Sequence, residues 1–237
     1  MTGEEKESID NQPVIDLLFL TWAAGALDAL SYLRARVFTA NMTGNTVLLG
    51  LMVVDPERSR VFHTALALVM FGMGVLLGAV VLLRLRHPDA THDLKAGVSL
   101  ELPFAAMFTV LWSLFPAGGP GWVIPAMISS AAFALGIQSA AVRRLNIAGV
   151  VTTFITGTIT TAVVSLAERN QPGVDTPKER RDFTLVLAGM FLVYIVAAMA
   201  GAELVSAKSR LAALDPLAAL VAVLIRSFLR ERSKVRV

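Results

Sequence analysis

Long apolar stretches alternate with short polar connectors along most of this chain. Eight stretches are about as long as membrane-crossing or buried helices, and they cover residues 14–33, 38–54, 61–83, 98–115, 121–142, 148–167, 183–205 and 211–229. The connectors carry charged residues, glycine and proline, which interrupt helices and form loops. The pattern predicts an all-α protein without a separate soluble domain.

Composition places these helices in a membrane. Hydrophobic residues make up 55% of the chain and charged residues only 16%, and the mean hydropathy is +0.67. These values exclude an ordinary soluble domain and indicate a polytopic integral membrane protein that has the lipid bilayer as its partner. The net charge of +3 is too small to favour nucleic acid as a partner.

Residues and motifs typical of enzymes and metal sites are scarce. The chain has no cysteine, which excludes disulfides and cysteine-ligated metals. Its three histidines, His63, His87 and His92, lie at or beyond the ends of apolar stretches. The sequence also lacks GxSxG, HExxH and Walker-type glycine motifs. We therefore expect no enzyme, no metal site and no cofactor.

A threonine- and glycine-bearing motif occurs twice, at residues 38–46 and 152–158. Each copy follows an apolar stretch that ends in arginine, Arg34 in the first half and Arg144 in the second. This repetition predicts a structural duplication. It divides the chain into an acidic tail, a first membrane repeat, a second membrane repeat and a basic tail, at residues 1–12, 13–115, 121–229 and 230–237.

The distribution of basic residues predicts the topology. If the second stretch of each repeat leaves by the side at which it enters, fifteen of the 21 Lys and Arg residues lie on one side. The positive-inside rule then places both termini in the cytoplasm. Residues 38–54 form a helix of about 25 Å, short of the roughly 30 Å bilayer core. We therefore expect six full spans, two short re-entrant or broken helices, and two repeats of inverted topology. The alternative, that residues 38–54 and 148–167 cross the membrane completely, is left open.

The first motif and its surroundings resemble a known family. Residues 24–33 (AGALDALSYL), Phe38 and residues 41–46 (NMTGNT) look like the signature of the YoaK-like bacterial multi-pass membrane proteins, also called domain of unknown function 1275. Residues 136–141 and 152–158 resemble the second conserved stretch of that family. The similarity covers nearly the whole chain from about Leu17 onward. It implies a six-span protein of the bacterial cytoplasmic membrane, and it implies no biochemical activity, because none is established for the family.

Asp28 is the leading functional candidate because it lies inside an apolar stretch. An ionisable group there is costly and usually faces a cavity or a partner. It could exchange a proton as a transport cavity opens to each side. The alternative is that Asp28 caps the following turn or pairs with Arg34. Gln138 occupies the corresponding position of the second repeat and could bind a substrate without carrying charge.

The two motifs are candidate substrate or ion sites. If each copy begins a half-helix, its free N–H groups and positive dipole end suit an anion. The alternative is close helix packing, for which glycine and threonine are common in membranes. The candidate binding residues are Asp28, Asn41, Thr43, Gly44, Asn45, Gln138, Thr152, Thr153, Thr156, Gly157 and Thr158.

Three other features are predicted to be structural. Residues 101–103 and 215–216 combine an acid with a following proline, as the first turns of helices do. Gly72, Gly74 and Gly78 are expected to form a helix-packing surface. The basic residues from Arg226 onward suit anionic lipid on the cytoplasmic face.

These features together favour a small secondary transporter of an unidentified small solute or anion, coupled to protons. The alternatives are a non-transporting membrane module, which interacts through its glycine faces, and a channel. The identity of the solute and association into a homo-oligomer are left open.

Overall fold

The computed structural model describes residues 11–54, 58–85, 90–116, 119–145, 160, 163–164 and 177–235. The acidic tail up to residue 10, most of the stretch 148–167 and the second motif with Thr152, Thr153, Thr156, Gly157 and Thr158 lie outside these residues. The described part contains the helices α1 (Asn11–Ala35), α2 (Met42–Leu51), α3 (Arg58–Leu85), α4 (Ala90–Leu114), α5 (Val123–Arg144), α6 (Pro177–Ser206) and α7 (Leu214–Val235).

The predicted polytopic all-α class is confirmed. Five described helices are long and apolar enough to cross a membrane, namely Val14–Ala35, Arg58–Leu85, His92–Leu114, Val123–Arg144 and Thr184–Ser206. α7 differs because Asp215, Arg226, Arg230 and Glu231 interrupt its apolar residues. It nevertheless packs along α1 and α4, and Arg226 and Arg230 pair there with the buried Asp16. A sixth full span at α7 stays a prediction.

Four helices form the centre of the bundle. α1 and α4 each contact both α5 and α7, while α3 lies against α5, α6 lies against α1, and α2 lies against α3. Each central helix contributes apolar residues to one core, including Leu20, Val98, Ala141 and Leu220. The interior between the central helices is therefore mainly aliphatic.

Neighbouring central helices run in opposite directions. In each pair of helices, the contact that lies earlier in one helix lies later in the other, as expected for antiparallel helices. These contacts are Lys95–Glu231 and Thr109–Ala213 between α4 and α7, where Ala213 directly precedes α7, Asp16–Arg226 and Trp22–Asp215 between α1 and α7, and Gly97–Ala141 and Phe104–Phe133 between α4 and α5. α1 and α4 therefore run one way, and α5 and α7 run the other.

Each outer helix runs parallel to the central helix on which it packs. The parallel contacts are Gly25–Tyr194 and Ala26–Gly201 between α1 and α6, and Gly74–Phe133 and Gly78–Ala140 between α3 and α5. A Cβ at Gly25 would lie 2.6 Å from the Tyr194 carbonyl oxygen, so only glycine allows this approach. The predicted packing role is confirmed for Gly74 and Gly78, whereas Gly72 faces open space.

These directions define two ends of the bundle. We call the end at which α1 begins and α3, α5 and α7 finish the basal end, and the opposite end the apical end. α1 finishes and α3 begins at the apical end, so the chain enters and leaves α2 there. A helix of 10 residues is about 15 Å long and cannot cross a core of about 30 Å. This course agrees with the re-entrant path expected for residues 38–54.

The predicted helix start at residues 101–103 is wrong. α4 begins at Ala90 and contains Pro103 in its interior. Polar residues near Asp93 resemble a connector, yet Asp93 pairs with Arg144 and Lys95 pairs with Glu231. Ion pairs with distant parts of the chain thus let the helix begin earlier than its local pattern indicates. Asp215 does lie in the first turn of α7, as predicted.

Candidate functional site

The Asp28 carboxylate organises the loop between α1 and α2. Its side chain is 3% exposed. The Oδ1 atom accepts hydrogen bonds from the backbone N–H of Thr39 at 2.7 Å and of Ala40 at 2.6 Å, and Oδ2 accepts one from Asn41 at 3.1 Å. This arrangement corresponds to the capping alternative for Asp28. Arg34 instead donates to the carbonyl oxygens of residues 115 and 116.

Tyr194 connects the same carboxylate to the second half of the chain. Its hydroxyl donates to Asp28 Oδ2 at 2.5 Å, and its backbone lies beside Gly25 of α1. Tyr194 was missed by the sequence reasoning, because a tyrosine in an apolar stretch gives no sign of its partner 166 residues away. We call Asp28, the N–H groups of residues 39–41 and Tyr194 the Asp28 cluster.

The first turn of α2 is capped by the protein itself. The Asn41 side chain accepts a hydrogen bond from the Gly44 N–H at 3.0 Å. Asn45 is buried and uses both ends of its amide on Phe38: its Oδ1 accepts from the Phe38 N–H at 2.9 Å, and its Nδ2 donates to the Phe38 carbonyl at 2.7 Å. Asn41, Gly44 and Asn45 are therefore brought together near Asp28. The Thr43 side chain is exposed.

Gln138 lies away from the Asp28 cluster. It is fully buried in α5 and donates through Nε2 to the Leu20 carbonyl of α1 at 3.2 Å. Leu20 and Asp28 are eight residues apart on α1, or about 12 Å along a helix. The structure thus places the two corresponding candidates, Asp28 and Gln138, at different depths.

Glu101 is a buried acid that the sequence reasoning treated as structural. Its side chain is 0% exposed, and neither carboxyl oxygen has a hydrogen-bond partner among the described residues. Val98 and Ala105, three residues before it and four after, lie on the same helix face and belong to the central apolar core. The signal in the sequence was an acid inside an apolar stretch, which is rare without a function.

Charged and polar contacts close both ends of the central helices. At the basal end, Asp16 pairs with Arg226 at 3.0 Å and with Arg230. At the apical end, Arg34 donates to the Pro116 carbonyl at 2.5 Å and its guanidinium lies over the Trp112 ring. These contacts hold neighbouring helices together at each end of the bundle.

Comparisons with known proteins were consistent with a membrane protein and gave no activity. A profile of the family described as "Protein of unknown function (DUF1275)" matches residues 17–226. The chain is 30% identical over 190 residues to the UPF0700 transmembrane protein YoaK of Bacillus subtilis (strain 168), which covers 78% of this chain and 80% of that protein. No solved structure matches the chain.

Proposed function

We propose that this chain, which belongs to the DUF1275 family of transmembrane proteins of unknown function, is a secondary transporter of a small solute or anion, coupled to proton movement. The family match confirms the resemblance carried by residues 24–33 and 41–46. The proposal places the protein in the bacterial cytoplasmic membrane, with the basal end facing the cytoplasm, and assigns it no catalytic step.

The observation that carries the proposal is the packing between the two halves. α1 packs against α6 and α7 of the second half, while α5, its counterpart, packs against α3 and α4 of the first half. Reciprocal contacts of this kind are typical of two related units around a two-fold axis. They support the interpretation that residues 13–115 and 121–229 are structural repeats.

Helix direction supports an inverted relation between these repeats. α1 runs opposite to α5, α3 runs opposite to α6, and α4 runs opposite to α7. Inverted repeats are common in secondary transporters, where one repeat rocks against the other around a central site. The packing therefore favours a transporter over a module that only holds a partner.

The closed centre favours a transporter over a channel. Leu20, Val98 and Leu220 fill the space between the central helices, and the Asp16 pairs close its basal end. A channel needs a continuous polar path when it is open, whereas a transporter passes through a closed state in each cycle. The described residues fit the closed state of such a cycle.

The Asp28 cluster is the proposed solute site of the first repeat. It joins a first-half loop to Tyr194 on a second-half helix, so rocking of the halves separates the hydroxyl from the carboxylate. The released Asp28 oxygen, the Asn41 amide and Thr43 then offer acceptors and donors to a polar solute. Gln138 supplies an amide in the second repeat.

Cysteine labelling tests the topology on which this proposal depends. The chain has no native cysteine, so Arg36→Cys, Arg58→Cys and Arg232→Cys each report one position to a membrane-impermeant maleimide in intact cells. We expect positions 36 and 58 to react from outside and position 232 to react only after the membrane is opened. Labelling of 36 and 58 from opposite sides contradicts the re-entrant path of α2 and the inverted repeat.

Transport itself is tested with the purified protein in liposomes that contain a pH-sensitive dye. We expect at least one small anion or polar solute to change the internal pH when it is added outside, and empty liposomes to show no change. If no solute in a broad panel changes the internal pH or accumulates in the liposomes, the proposed function is contradicted.

A further inference from the structure

We propose that the Glu101 carboxyl is an intramembrane proton-binding site, at which the protein takes up and releases the proton that is coupled to transport. The coupling role rests on the proposed transport function, whereas proton binding at Glu101 can be tested without any solute. The site is separate from the Asp28 cluster.

Glu101 differs from the other buried acids in having no hydrogen-bond donor among the described residues. Asp16 is held by two arginines, Asp93 by Arg144, and Asp28 by backbone N–H groups and Tyr194. Neither oxygen of Glu101 accepts a hydrogen bond in the described part of the chain. Burying an ionised carboxylate in such apolar surroundings costs far more free energy than burying the neutral acid. The Glu101 carboxyl therefore keeps its proton in this state of the protein.

Glu101 lies in the middle of the four central helices. Its neighbours on the same face of α4, Val98 and Ala105, pack in one core with Leu20, Ala141 and Leu220 from the other three helices. The Gly97–Ala141 and Phe104–Phe133 contacts fix the register of α4 and α5. By this register Glu101 is level with Gln138, the candidate binding residue of the second repeat.

The charged groups that the structure describes on the helices around Glu101 either bind other residues or are exposed. On α7, Arg226 and Arg230 bind Asp16, Glu231 binds Lys95, and Asp215 accepts from Trp22. On α5, Arg144 binds Asp93 and Arg143 is exposed, and on α3, Arg84 is exposed.

Arg226 is the cation nearest to Glu101 by helix register. The Lys95–Glu231 and Thr109–Ala213 contacts between α4 and α7 place it about one helical turn toward the basal end. Opening of the Asp16–Arg226 pair admits water and frees this cation. The Glu101 O–H bond can then break, with the proton passing to water and the carboxylate remaining opposite Arg226.

The test uses dicyclohexylcarbodiimide, an apolar reagent that reacts with protonated carboxylic acids inside membranes. The acid adds across one C=N bond, so that a C–O bond forms and the proton moves to nitrogen, and the adduct rearranges to a stable acylurea. We expect mass spectrometry of the purified full-length protein at pH 7 to find the adduct on Glu101. Asp16, Asp28 and the exposed Glu203 serve as internal comparisons and are expected to stay unmodified.

Matched variants complete the test. Glu101→Gln removes the label, and Glu203→Gln leaves it unchanged. We expect the infrared spectrum of the unmodified protein to contain the carbonyl band of a protonated acid. This band should be absent from Glu101→Gln and present in Glu203→Gln. Size-exclusion profiles establish that both variants fold. Absence of the adduct on Glu101, or an infrared band that survives in Glu101→Gln, overturns the proposal.

Transport measurements separate this inference from the proposed function. Solute movement that stays coupled to protons in Glu101→Gln overturns the coupling role of Glu101 and leaves the transporter standing. A labelled Glu101 in a protein that transports none of the solutes tested supports the proton site and contradicts the transporter. Loss of proton coupling in Glu101→Gln, with the Glu203→Gln control unaffected, supports both.

Discussion

Asp28 and Glu101 are buried acids on two central helices that run in the same direction, yet their surroundings are opposite. Asp28 accepts hydrogen bonds from the N–H groups of residues 39–41 and from Tyr194. Glu101 accepts none in the described part of the chain. Hydrogen-bond donors thus surround the Asp28 carboxylate, whereas apolar side chains of the central core flank Glu101 on α4. Burial alone therefore does not assign a role to an acid, and the donors around it distinguish the proposed solute site at Asp28 from the proposed proton site at Glu101.

Asp28→Ala is expected to have the largest effect on stability. The substitution leaves the N–H groups of Thr39, Ala40 and Asn41 without their acceptor, and each buried unsatisfied group costs about 1–3 kcal/mol. We expect a loss of at least about 3 kcal/mol, visible as aggregation in size-exclusion chromatography or a large drop in Tm. The exposed Glu203→Ala provides the control. A well-folded Asp28→Ala protein with an unchanged Tm contradicts the structural role of the Asp28 cluster.

Tyr194→Phe removes one donor from Asp28 and keeps the aromatic ring. A hydrogen bond to a charged group contributes about 1.5–3 kcal/mol, so we expect a smaller destabilisation than for Asp28→Ala. The double variant Asp28→Ala/Tyr194→Phe should lose less stability than the sum of the single variants, because both remove the same contact. Thermal unfolding of all four proteins measures this coupling. Additive losses contradict a direct Asp28–Tyr194 interaction.

Glu101→Leu is expected to increase stability, in contrast to the substitutions at Asp28 and Tyr194. Glu101 has no partner in the part of the chain that the structure describes, so an apolar side chain of similar size removes the desolvation cost of the acid. We expect a gain of about 1–2 kcal/mol, or a Tm higher by roughly 2–8 °C for a chain of this size, together with loss of proton-coupled transport. Glu101→Gln keeps a buried polar group and should gain less. A clear decrease in Tm for Glu101→Leu indicates that the acid has a stabilising partner.

The contrast between the two acids also shows how far the sequence could predict the molecule. The apolar stretches predicted the helices that the structure describes, because membrane length constrains them. The return of the chain at α2 was expected from the distribution of basic residues and the shortness of the second stretch, with a span as the alternative. The pattern around Asp28 predicted that this residue matters, and capping of the following turn was one of the two alternatives. Its second-half partner Tyr194 could not be predicted, because helix packing alone brings the two residues together.

Glu101 was misinterpreted for a local reason. An acid two residues before a proline resembles a first helical turn, and the polar residues that precede it resemble a loop. In the structure, Asp93 pairs with Arg144 and Lys95 pairs with Glu231 within this first part of α4. The distinction between a helix start and a buried acid therefore depended on partners far away in the sequence.

The smallest loss of stability is expected at the N-cap of α2, and it tests whether this cap and the loop held by Asp28 unfold independently. Asn41→Ala removes the acceptor of the Gly44 N–H and should cost about 1 kcal/mol, as the loss of an N-cap does. Asn41→Asp keeps an acceptor and should restore most of the stability. Because the Asn41 backbone N–H still binds Asp28 in both variants, labelling of Glu101 should stay unchanged while Tm falls slightly. A fall in Tm as large as that of Asp28→Ala shows instead that the cap and the Asp28 cluster form one cooperative unit.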